Sequence, residues 1–366
     1  MMMNCCIVIR MDTVFTSYLE KIEEALHSYL PEHTNPSWQK QSFSELSSCV
    51  SGAHLENLIK PCRSLMDLGG KRWRPLLMVL CAELAAECGK KTELTDGGIF
   101  ALTPLVEFVH TASLIHDDIE DSAEVRRGKP SAYIQYGLDT ALNAGSWLYF
   151  EAAVCIDSLS CPDAFKNSLY SLYAQELRRL HLGQAMDIYW HRNPELVPSL
   201  EEYAQMVHCK TGTLASLAVQ TGIIGGGGTR EEASCAGSIA ACVGEGFQIL
   251  DDVQNLTTGN PGKKRGDDIV EGKKSLPVLL HIAENPGDKA VIAECFRKAG
   301  KEGIESPAVE ECIALLNSRG SIKKAAEKGK ACITENAEKL ASVFGNSGGE
   351  KSAVLIKKLF ADMIPQ

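Results

Sequence analysis

LVEFVHTASLIHDDIED, residues 105–121, is an apolar segment that runs directly into four acidic side chains within five positions. Its apolar residues recur every three or four positions, which is the spacing of one helical face. Asp117 and Asp121 are four residues apart, so a helix places both carboxylates on the same face. The segment therefore predicts a buried helix that ends in a group of carboxylates.

The same helical period continues along most of the chain, for example in MVLCAELAAEC (78–88) and LASLAVQTGII (214–224). Glycine- and proline-containing breaks separate these segments, and runs of alternating β-branched residues are missing. The pattern predicts an all-α fold, a large helical bundle with a central cavity. We expect residues 11–366 to form a single domain. Residues 1–10 are expected to be a disordered or untranslated extension, because Met11 opens a better helix.

Composition narrows the class of protein. The 366 residues are 45% hydrophobic and carry a net charge of −10, which predicts a large core and disfavours binding to nucleic acid. No uncharged apolar run is long enough to cross a bilayer, so no stable membrane insertion is expected. The 14 cysteines include no CxxC pair. We interpret them, Cys235 and Cys242 included, as small buried side chains of a reduced, cytoplasmic protein.

The acidic group of residues 117–121 has two interpretations when it is taken alone. It could be a solvated helix end, or it could hold a divalent cation that relieves the repulsion between the carboxylates. A second apolar helix, GFQILDDVQN (246–255), also ends in paired aspartates, and its spacing places Gln248, Asp251 and Asn255 on one face. Two such helices could face each other across a cavity, which favours a metal site.

Basic residues follow or precede these acidic helices and predict anion binding. They are Arg126 and Arg127 after the first helix, Lys263, Lys264, Arg265, Lys273 and Lys274 after the second, and Lys71, Arg72 and Arg74 in GGKRWRP (69–75). Acids for a metal beside cations for phosphate would hold a metal-bound diphosphate. Simpler interpretations stay open. GGKRWRP could be only a helix start after a Gly-Gly turn, His110 could be a structural residue of its helix, and the lysine of CKTG (209–212) could be an ordinary surface residue. The run Gly225–Gly228 is interpreted as a helix–helix turn, because it lacks the lysine of a phosphate loop.

Six of these motifs occur together and in order. They are GGKRWRP, HTASLIHDDIEDSAEVRRGKPS, HLGQAMDIYW, CKTG, GFQILDDVQN and GKKRGDDIVEGKKSLP. In this order they resemble the trans-isoprenyl diphosphate synthases, the polyprenyl synthetase family. The resemblance runs from about Gly69 to Pro277 and continues weakly through the following helices.

The resemblance implies a role for individual residues. Isopentenyl diphosphate would be bound by Lys71, Arg74, His110 and Arg127. The allylic diphosphate would be bound by Arg126, Lys210, Thr211, Gln248, Lys263 and Lys273. The metal ligands would be Asp117, Asp121 and Asp251, with Asp118, Asp252 and Asn255 as further candidates. The residues expected to carry catalysis are Asp117, Asp121, Asp251 and Lys210.

The implied enzyme is a cytoplasmic homodimer that uses up to three Mg²⁺ ions. It would condense isopentenyl diphosphate head-to-tail with an allylic diphosphate. Product length would depend on the residues before the first acidic group, Val109, Ala112 and Ser113. These are small, so the growing chain could pass them towards Trp147, Tyr149 and Phe150 as a floor. Geranylgeranyl diphosphate is the expected product.

Two alternatives share parts of this pattern. A class I terpene cyclase has a similar first acidic motif, but its second metal motif closes with a glutamate that DDVQNLTTG (251–259) lacks. A non-catalytic subunit of a hetero-oligomeric synthase tends to lose one acidic motif, whereas this chain keeps both nearly complete. Product formation by the purified chain alone separates these possibilities.

Overall fold

A computed structural model describes residues 13–259 and 264–365 of the chain. The prediction of an all-α fold is confirmed: the described residues form helices, apart from a two-stranded hairpin. The expected extension, residues 1–10, and the predicted ligand Lys263 lie outside the described residues.

Helices follow one another with short connections. In chain order they are α1 (Thr13–Tyr29), α2 (Pro36–Phe43), α3 (Gly52–Met66), α4 (Trp73–Glu87), α5 (Gly98–Ala101), α6 (Pro104–Glu120), α7 (Ala132–Tyr136), α8 (Leu138–Glu151), α9 (Val154–Asp157), α10 (Asp163–His191), α11 (Leu200–Val207), α12 (Thr213–Gly225), α13 (Arg230–Thr257), α14 (Asp267–Glu271), α15 (Leu276–Glu284), α16 (Lys289–Glu302), α17 (Pro307–Ser318), α18 (Ser321–Ala341) and α19 (Lys351–Met363). A π-helical turn, His208–Gly212, joins α11 to α12, and a 3-10 turn, Pro286–Asp288, precedes α16. Strands β1 (Val125–Arg126) and β2 (Lys129–Pro130) pair antiparallel after α6.

The chain divides into two compact units. Of the described residues, the first unit contains 13–174, 217–236 and 344–359, and the second contains 175–216, 237–259, 264–343 and 360–365. The prediction of a single domain stays a prediction.

The first unit is built around α4, whose side chains are buried on nearly every side. Helix α12 approaches α4 closely because two glycines face it. A Cβ atom on Gly222 would lie 2.3 Å from the carbonyl oxygen of Met78, and one on Gly226 would lie 2.4 Å from that of Ala82. The predicted turn at Gly225–Gly228 is confirmed, and Gly227 has the positive φ, 92°, that favours glycine. These glycines therefore allow helices to pack backbone to backbone.

Helix α6 packs mainly against α8 within the same unit. Gly145 of α8 lies at this contact, since a Cβ atom there would meet His116 and Ile115 at 3.2 Å. His116 also stacks on the ring of Tyr149, with ring centroids 5.4 Å apart. This packing fixes the end of α6 that carries the acidic residues.

The second unit has its own apolar core. One part is formed by α16 and α17 with the end of α13, and includes Leu256, Phe296 and Ile313. Helix α18 crosses α13 where two glycines meet: a Cβ atom on Gly246 would lie 2.9 Å from the oxygen of Gly329. This close crossing holds the segment of α13 that carries the second pair of aspartates.

Two helical segments, Gly98–Glu120 and Arg230–Thr257, are long and apolar enough to cross a membrane by length and composition alone. Their apolar windows are 61% and 50% buried inside the protein, as expected for core helices. These are also the segments that end in the two aspartate pairs.

Candidate active site

Helix α6 brings its aspartates to different environments. Asp117 and Asp121 lie half-buried at the helix end, where the amide of Asp121 donates to the carbonyl of Asp117. Asp118 is almost fully buried, and its Oδ1 accepts from Nε of Arg126 at 2.8 Å. Burial raises the pKa of Asp118 against the opposing effect of Arg126. Asp117 and Asp121 are placed as the sequence predicts, whereas Asp118 positions Arg126.

The hairpin after α6 carries the adjacent arginines. Its two-residue loop, Arg127-Gly128, has positive φ at both positions, 51° and 77°, as a type I′ turn requires. Arg127 donates from Nη1 to the carbonyl of Gly69. A Cβ atom on Gly70 would lie 3.3 Å from Nη2 of Arg127, so the Gly-Gly pair makes room for this guanidinium. The hairpin thereby brings Arg127 to GGKRWRP.

Arg72 is a structural residue of this unit. Its Nε donates to Glu23 at 2.7 Å, its Nη1 to Glu107 at 2.6 Å and its Nη2 to the carbonyl of Met66 at 2.8 Å. Arg72 also precedes α4 with a φ of 45°, in the left-handed region. These contacts fix the position of Lys71 and Arg74 on either side of it.

Arg74 and Arg127 form a cationic cluster in the first unit, and His110 lies with them. Burial, with a smaller contribution from Arg127, lowers the pKa of Arg74 to about 10 against the opposing effect of Glu107. Burial, Arg74 and Arg127 hold the pKa of His110 well below its usual range, so its imidazole is neutral near pH 7. Nε of Arg74 is buried without a hydrogen-bond partner. Three predicted ligands of isopentenyl diphosphate thus lie together, and an anion would relieve the repulsion between the two guanidinium groups of Arg74 and Arg127.

In the second unit, Lys210 is held by a residue that the sequence reasoning missed. Its Nζ donates to Oδ2 of Asp187 at 2.5 Å, and a Cβ atom on Gly183 would lie 2.3 Å from the backbone nitrogen of Lys210. Although burial raises the pKa of Asp187, Lys210 and Lys273 hold it below its usual range. The sequence did contain an indication of this contact: Gly183 and Asp187 in HLGQAMDIYW are four residues apart and so lie on one face of a helix.

A chain of hydrogen bonds runs from Thr211 to the second aspartate pair. Thr211 donates to Oε1 of Gln248 at 2.8 Å, and Nε2 of Gln248 donates to Oδ1 of Asp252 at 2.9 Å. The hydroxyl of Tyr203 donates to Oδ2 of Asp252 at 2.8 Å. Burial raises the pKa of Asp252 to about 6. Both carboxylate oxygens accept hydrogen bonds inside the unit, so Asp252 orders Gln248 and Tyr203. Its role as a metal ligand stays a prediction.

The end of α13 corrects the expectation that Asp251 and Asn255 share one accessible face. Asp251 is exposed, whereas Asn255 is fully buried. Oδ1 of Asn255 accepts from the amide of Asp268 at 3.3 Å, and its backbone carbonyl accepts from that of Gly266 at 3.0 Å. Asn255 therefore anchors the loop after α13, and of the two residues only Asp251 is exposed.

Two lysines after α14 differ in their surroundings. Lys273 pairs with Glu271 and lies 3.9 Å from Oδ1 of Asp268. Lys274 is buried, donates to the carbonyl of Gly272 at 2.8 Å, and lies over the ring of Phe296. Burial lowers the pKa of Lys274 to about 8. The predicted ligand, Lys273, is the more accessible of the two.

The predicted chain-length residues lie on the inner side of α6. Val109 and Ala112 have no exposed surface, and Ser113 is half-buried with its hydroxyl bonded to the carbonyl of His110. The expected floor of the chain path is wrong in one residue, because the side chain of Phe150 is 78% exposed. The ring of Trp147 stacks on that of Phe43, with ring centroids 6.2 Å apart.

Three comparisons place the chain among known proteins. The model of the polyprenyl synthetase family matches residues 55–316. The geranylgeranyl pyrophosphate synthase penG of Penicillium ochrochloron is 30% identical over 325 residues, which cover 86% of this chain and 85% of that protein. The geranylgeranyl diphosphate synthase of Methanosarcina mazei is 31% identical over 287 residues, covering 78% and 83% respectively. The crystal structure of geranylgeranyl pyrophosphate synthetase from Pyrococcus horikoshii superposes with a TM-score of 0.77 at 27% identity, over 96% of this chain and 97% of that one.

We expect Arg72→Ala to lower the free energy of unfolding by about 3–5 kcal/mol, because buried Glu107 would lose its cation. Lys71→Ala, at the exposed neighbouring position, should change it by less than about 0.5 kcal/mol. Urea unfolding of both variants measures the difference. Similar losses in the two variants would contradict the structural role of Arg72.

We expect Asn255→Asp to destabilise the protein by about 1–3 kcal/mol, because it places a buried carboxylate one helical turn from Asp252. Burial raises the folded-state pKa of the new aspartate above its unfolded value, so the folded state binds the proton more tightly. The penalty is therefore small below the unfolded pKa and grows as the pH rises through the folded pKa.

Thermal unfolding of Asn255→Asp at about pH 5 and about pH 8 tests this, with a larger loss of Tm at the higher pH. Gln254→Glu is the matched control, since it adds the same charge at a half-buried neighbour. A Tm loss that does not depend on pH would count against the buried placement of Asn255.

Proposed function

This chain belongs to the polyprenyl synthetase family, and we propose that it makes geranylgeranyl diphosphate from isopentenyl diphosphate and an allylic diphosphate. As a prenyl diphosphate synthase it joins the two substrates head-to-tail. The observation that carries the proposal is the cluster of Arg74, His110 and Arg127 beside the aspartates of α6, with a buried Nε on Arg74 that has no hydrogen-bond partner.

The cluster fits the diphosphate of the non-allylic substrate. A buried guanidinium has donors in a fixed fork that matches phosphate oxygens. Neutral His110 can donate one more hydrogen bond without adding charge. Lys71, exposed at the start of the same segment, would close over the outer phosphate. Arg72 takes no part, because its donors bind Glu23, Glu107 and Met66.

The allylic diphosphate would be bound by Arg126, Lys210, Thr211, Gln248 and Lys273. Asp118 holds the guanidinium of Arg126, and Asp187 holds the ammonium of Lys210, so each cation keeps its position before substrate binds. Thr211 and Gln248 are ordered through Asp252. Lys273 supplies a further cation. Fixed cations stabilise the charge that builds on the leaving diphosphate without having to reorganise.

The family is generally dependent on Mg²⁺, and the acidic residues fit this ion. Asp117 and Asp121 offer oxygen donors on adjacent turns of α6, and Asp251 offers another at the exposed end of α13. Oxygen is the donor type that Mg²⁺ takes in proteins. When bound, up to three Mg²⁺ ions would supply Lewis-acid stabilisation of the departing diphosphate.

The reaction then needs three bond changes. The carbon–oxygen bond of the allylic diphosphate breaks, the double bond of isopentenyl diphosphate attacks the resulting allylic cation, and a proton leaves the new cation. We propose that the released diphosphate accepts this proton. The protein's part is to hold the two diphosphates apart and in register, which brings the reacting carbons together.

The proposed product agrees with the small residues before Asp117 and with the names of the relatives. Ser113 lies one helical turn before Asp117, on the same face, and Val109 and Ala112 are the next residues inward. None of the three carries a ring that would stop a growing chain at this depth.

We also propose that the protein is a cytoplasmic homodimer. The support is a row of exposed apolar side chains along α7 and α8: Ile134, Leu138, Leu142 and Phe150. Leu138, Leu142 and Phe150 lie on α8 at intervals of four and eight residues and so share one side of that helix. Exposed apolar side chains on one helix face are typical of a protein interface.

The purified chain alone should form geranylgeranyl diphosphate from isopentenyl and allylic diphosphates with Mg²⁺, as read by labelled-product chromatography. Arg74→Ala should raise KM for isopentenyl diphosphate by about 10- to 100-fold, since a charge-assisted hydrogen bond contributes about 1.5–3 kcal/mol. KM for the allylic substrate should change far less. Lys129→Ala is the control, since it removes an exposed cation from the β1–β2 hairpin that carries Arg127.

Failure of the wild-type chain to form product, under conditions where it is folded, would overturn the proposed function. Equal effects of Arg74→Ala on the two KM values would instead overturn only the assignment of this pocket. Asp117→Asn should abolish product formation while leaving the circular dichroism spectrum unchanged.

Ser113→Phe should shorten the product, because the added ring would occupy the path of the chain one turn before Asp117. Ser113→Ala, which adds no bulk, should leave the product unchanged. Ala112→Phe is a poorer test, since Ala112 is fully buried and overpacking costs about 1–3 kcal/mol. Product analysis decides: an active Ser113→Phe enzyme that still makes only geranylgeranyl diphosphate would exclude this path.

A further inference from the structure

Three side chains of the second unit form a cluster that the proposed reaction does not use. His208 lies on the π-helical turn, and Cys242 and Glu245 lie three residues apart on α13. One ligand atom of each lies within 4.8 Å of the other two. Cys242 is half-buried beside this histidine, so its interpretation as a simple core residue is wrong, and Cys235 is exposed.

The cluster is already ordered. Nδ1 of His208 donates to Oε1 of Glu245 at 2.6 Å. A second thiol lies next to it, since Sγ of Cys332 on α18 donates to the carbonyl oxygen of Cys242 at 3.1 Å. The three ligand side chains thus come from two segments, the π-helical turn and α13, and Cys332 of α18 contacts the backbone of Cys242.

Solvent reaches the cluster through a pocket of 360 Å³. Its lining includes His208, Glu245, Arg179, Glu201, Gln205 and Cys209. The side chain of His208 is 32% exposed and that of Glu245 is 21% exposed. An ion could therefore bind without unfolding the unit, and water could complete its coordination.

The donor set selects the class of ion. One imidazole nitrogen, one thiolate and one carboxylate oxygen suit a borderline-soft divalent ion such as Zn²⁺. They do not suit Mg²⁺, which takes oxygen ligands. Burial, and then Glu245, raise the pKa of the Cys242 thiol, so binding must release its proton.

We propose that His208, Cys242 and Glu245 form a binding site for a transition-metal ion of the Zn²⁺ class. The site goes beyond the prenyl transfer proposed above and shares no residue with it. It does lie next to that machinery: the His208–Glu245 and Thr211–Gln248 contacts are three residues apart on both segments. A bound ion would thus fix the π-helical turn against α13.

Co²⁺ titration of the metal-free full chain, kept reduced, tests the proposal, because a cobalt–thiolate bond gives a charge-transfer absorption band in the near ultraviolet. We expect one equivalent of Co²⁺ to produce the band and Zn²⁺ to displace it. Cys242→Ser should abolish the band, whereas Cys235→Ser, two turns earlier on α13, should retain it. Asp251→Asn should also retain it, which separates this site from the acidic one.

Affinity measurements on variants of the other two ligands complete the test. His208→Gln and Glu245→Gln should each weaken Co²⁺ binding by about 10- to 100-fold or more. Glu201→Gln removes a charge from the same pocket without removing a ligand and should bind normally. Absence of the band in the wild-type chain, its retention in Cys242→Ser, or equal weakening by Glu201→Gln would overturn the proposal. If Cys242→Ser does not fold, the His208→Gln result decides.

Discussion

The buried pairing of Arg72 with Glu107 is the interaction on which the first unit's site depends. It joins the segment before α4 to the middle of α6, and Glu23 of α1 completes the contact. Because a buried guanidinium is costly unless its donors are satisfied, this segment has few alternative positions. Arg74, two residues later, is therefore held beside His110 whether or not an anion is present. Arg72, which has no proposed contact with substrate, thus determines where the proposed substrate ligand Arg74 lies.

Cations of the site are held in two different ways. Asp118 pairs with Arg126, and Asp187 pairs with Lys210, so each of these cations has an anionic partner within the chain. Among the described residues Arg74 forms no such ion pair; its guanidinium lies over the ring of Trp73, and burial lowers its pKa. A buried guanidinium held in this way costs folding free energy, which the binding of an anion would return. The arrangement is expected where a protein is selected for anion binding and not for stability alone.

The sequence predicts correctly those structural features that a local pattern of residues determines. The helical period of residues 105–121 predicted α6, and its four-residue spacing placed Asp117 and Asp121 together. Contacts between residues that are far apart along the chain could not be predicted in this way. Glu23 and Glu107 are 49 and 35 residues from Arg72, and nothing near Arg72 indicates that they would bind it. The family resemblance identified Arg74 as a ligand but gave no reason why Arg72 is not one.

The end of α13 shows the same limit for a helical face. Spacing alone places Asp251 and Asn255 on one face, but the loop at Gly266 and Asp268 packs against only one of them. Residues on one face of a helix can thus differ in burial, because a loop can cover only part of the last turn. The same reasoning explains His208 and Cys242: each looks like an ordinary helical side chain in the sequence, and they become neighbours only because the π-helical turn packs on α13. Where two segments meet without a shared local pattern, chemistry can arise that neither segment indicates by itself.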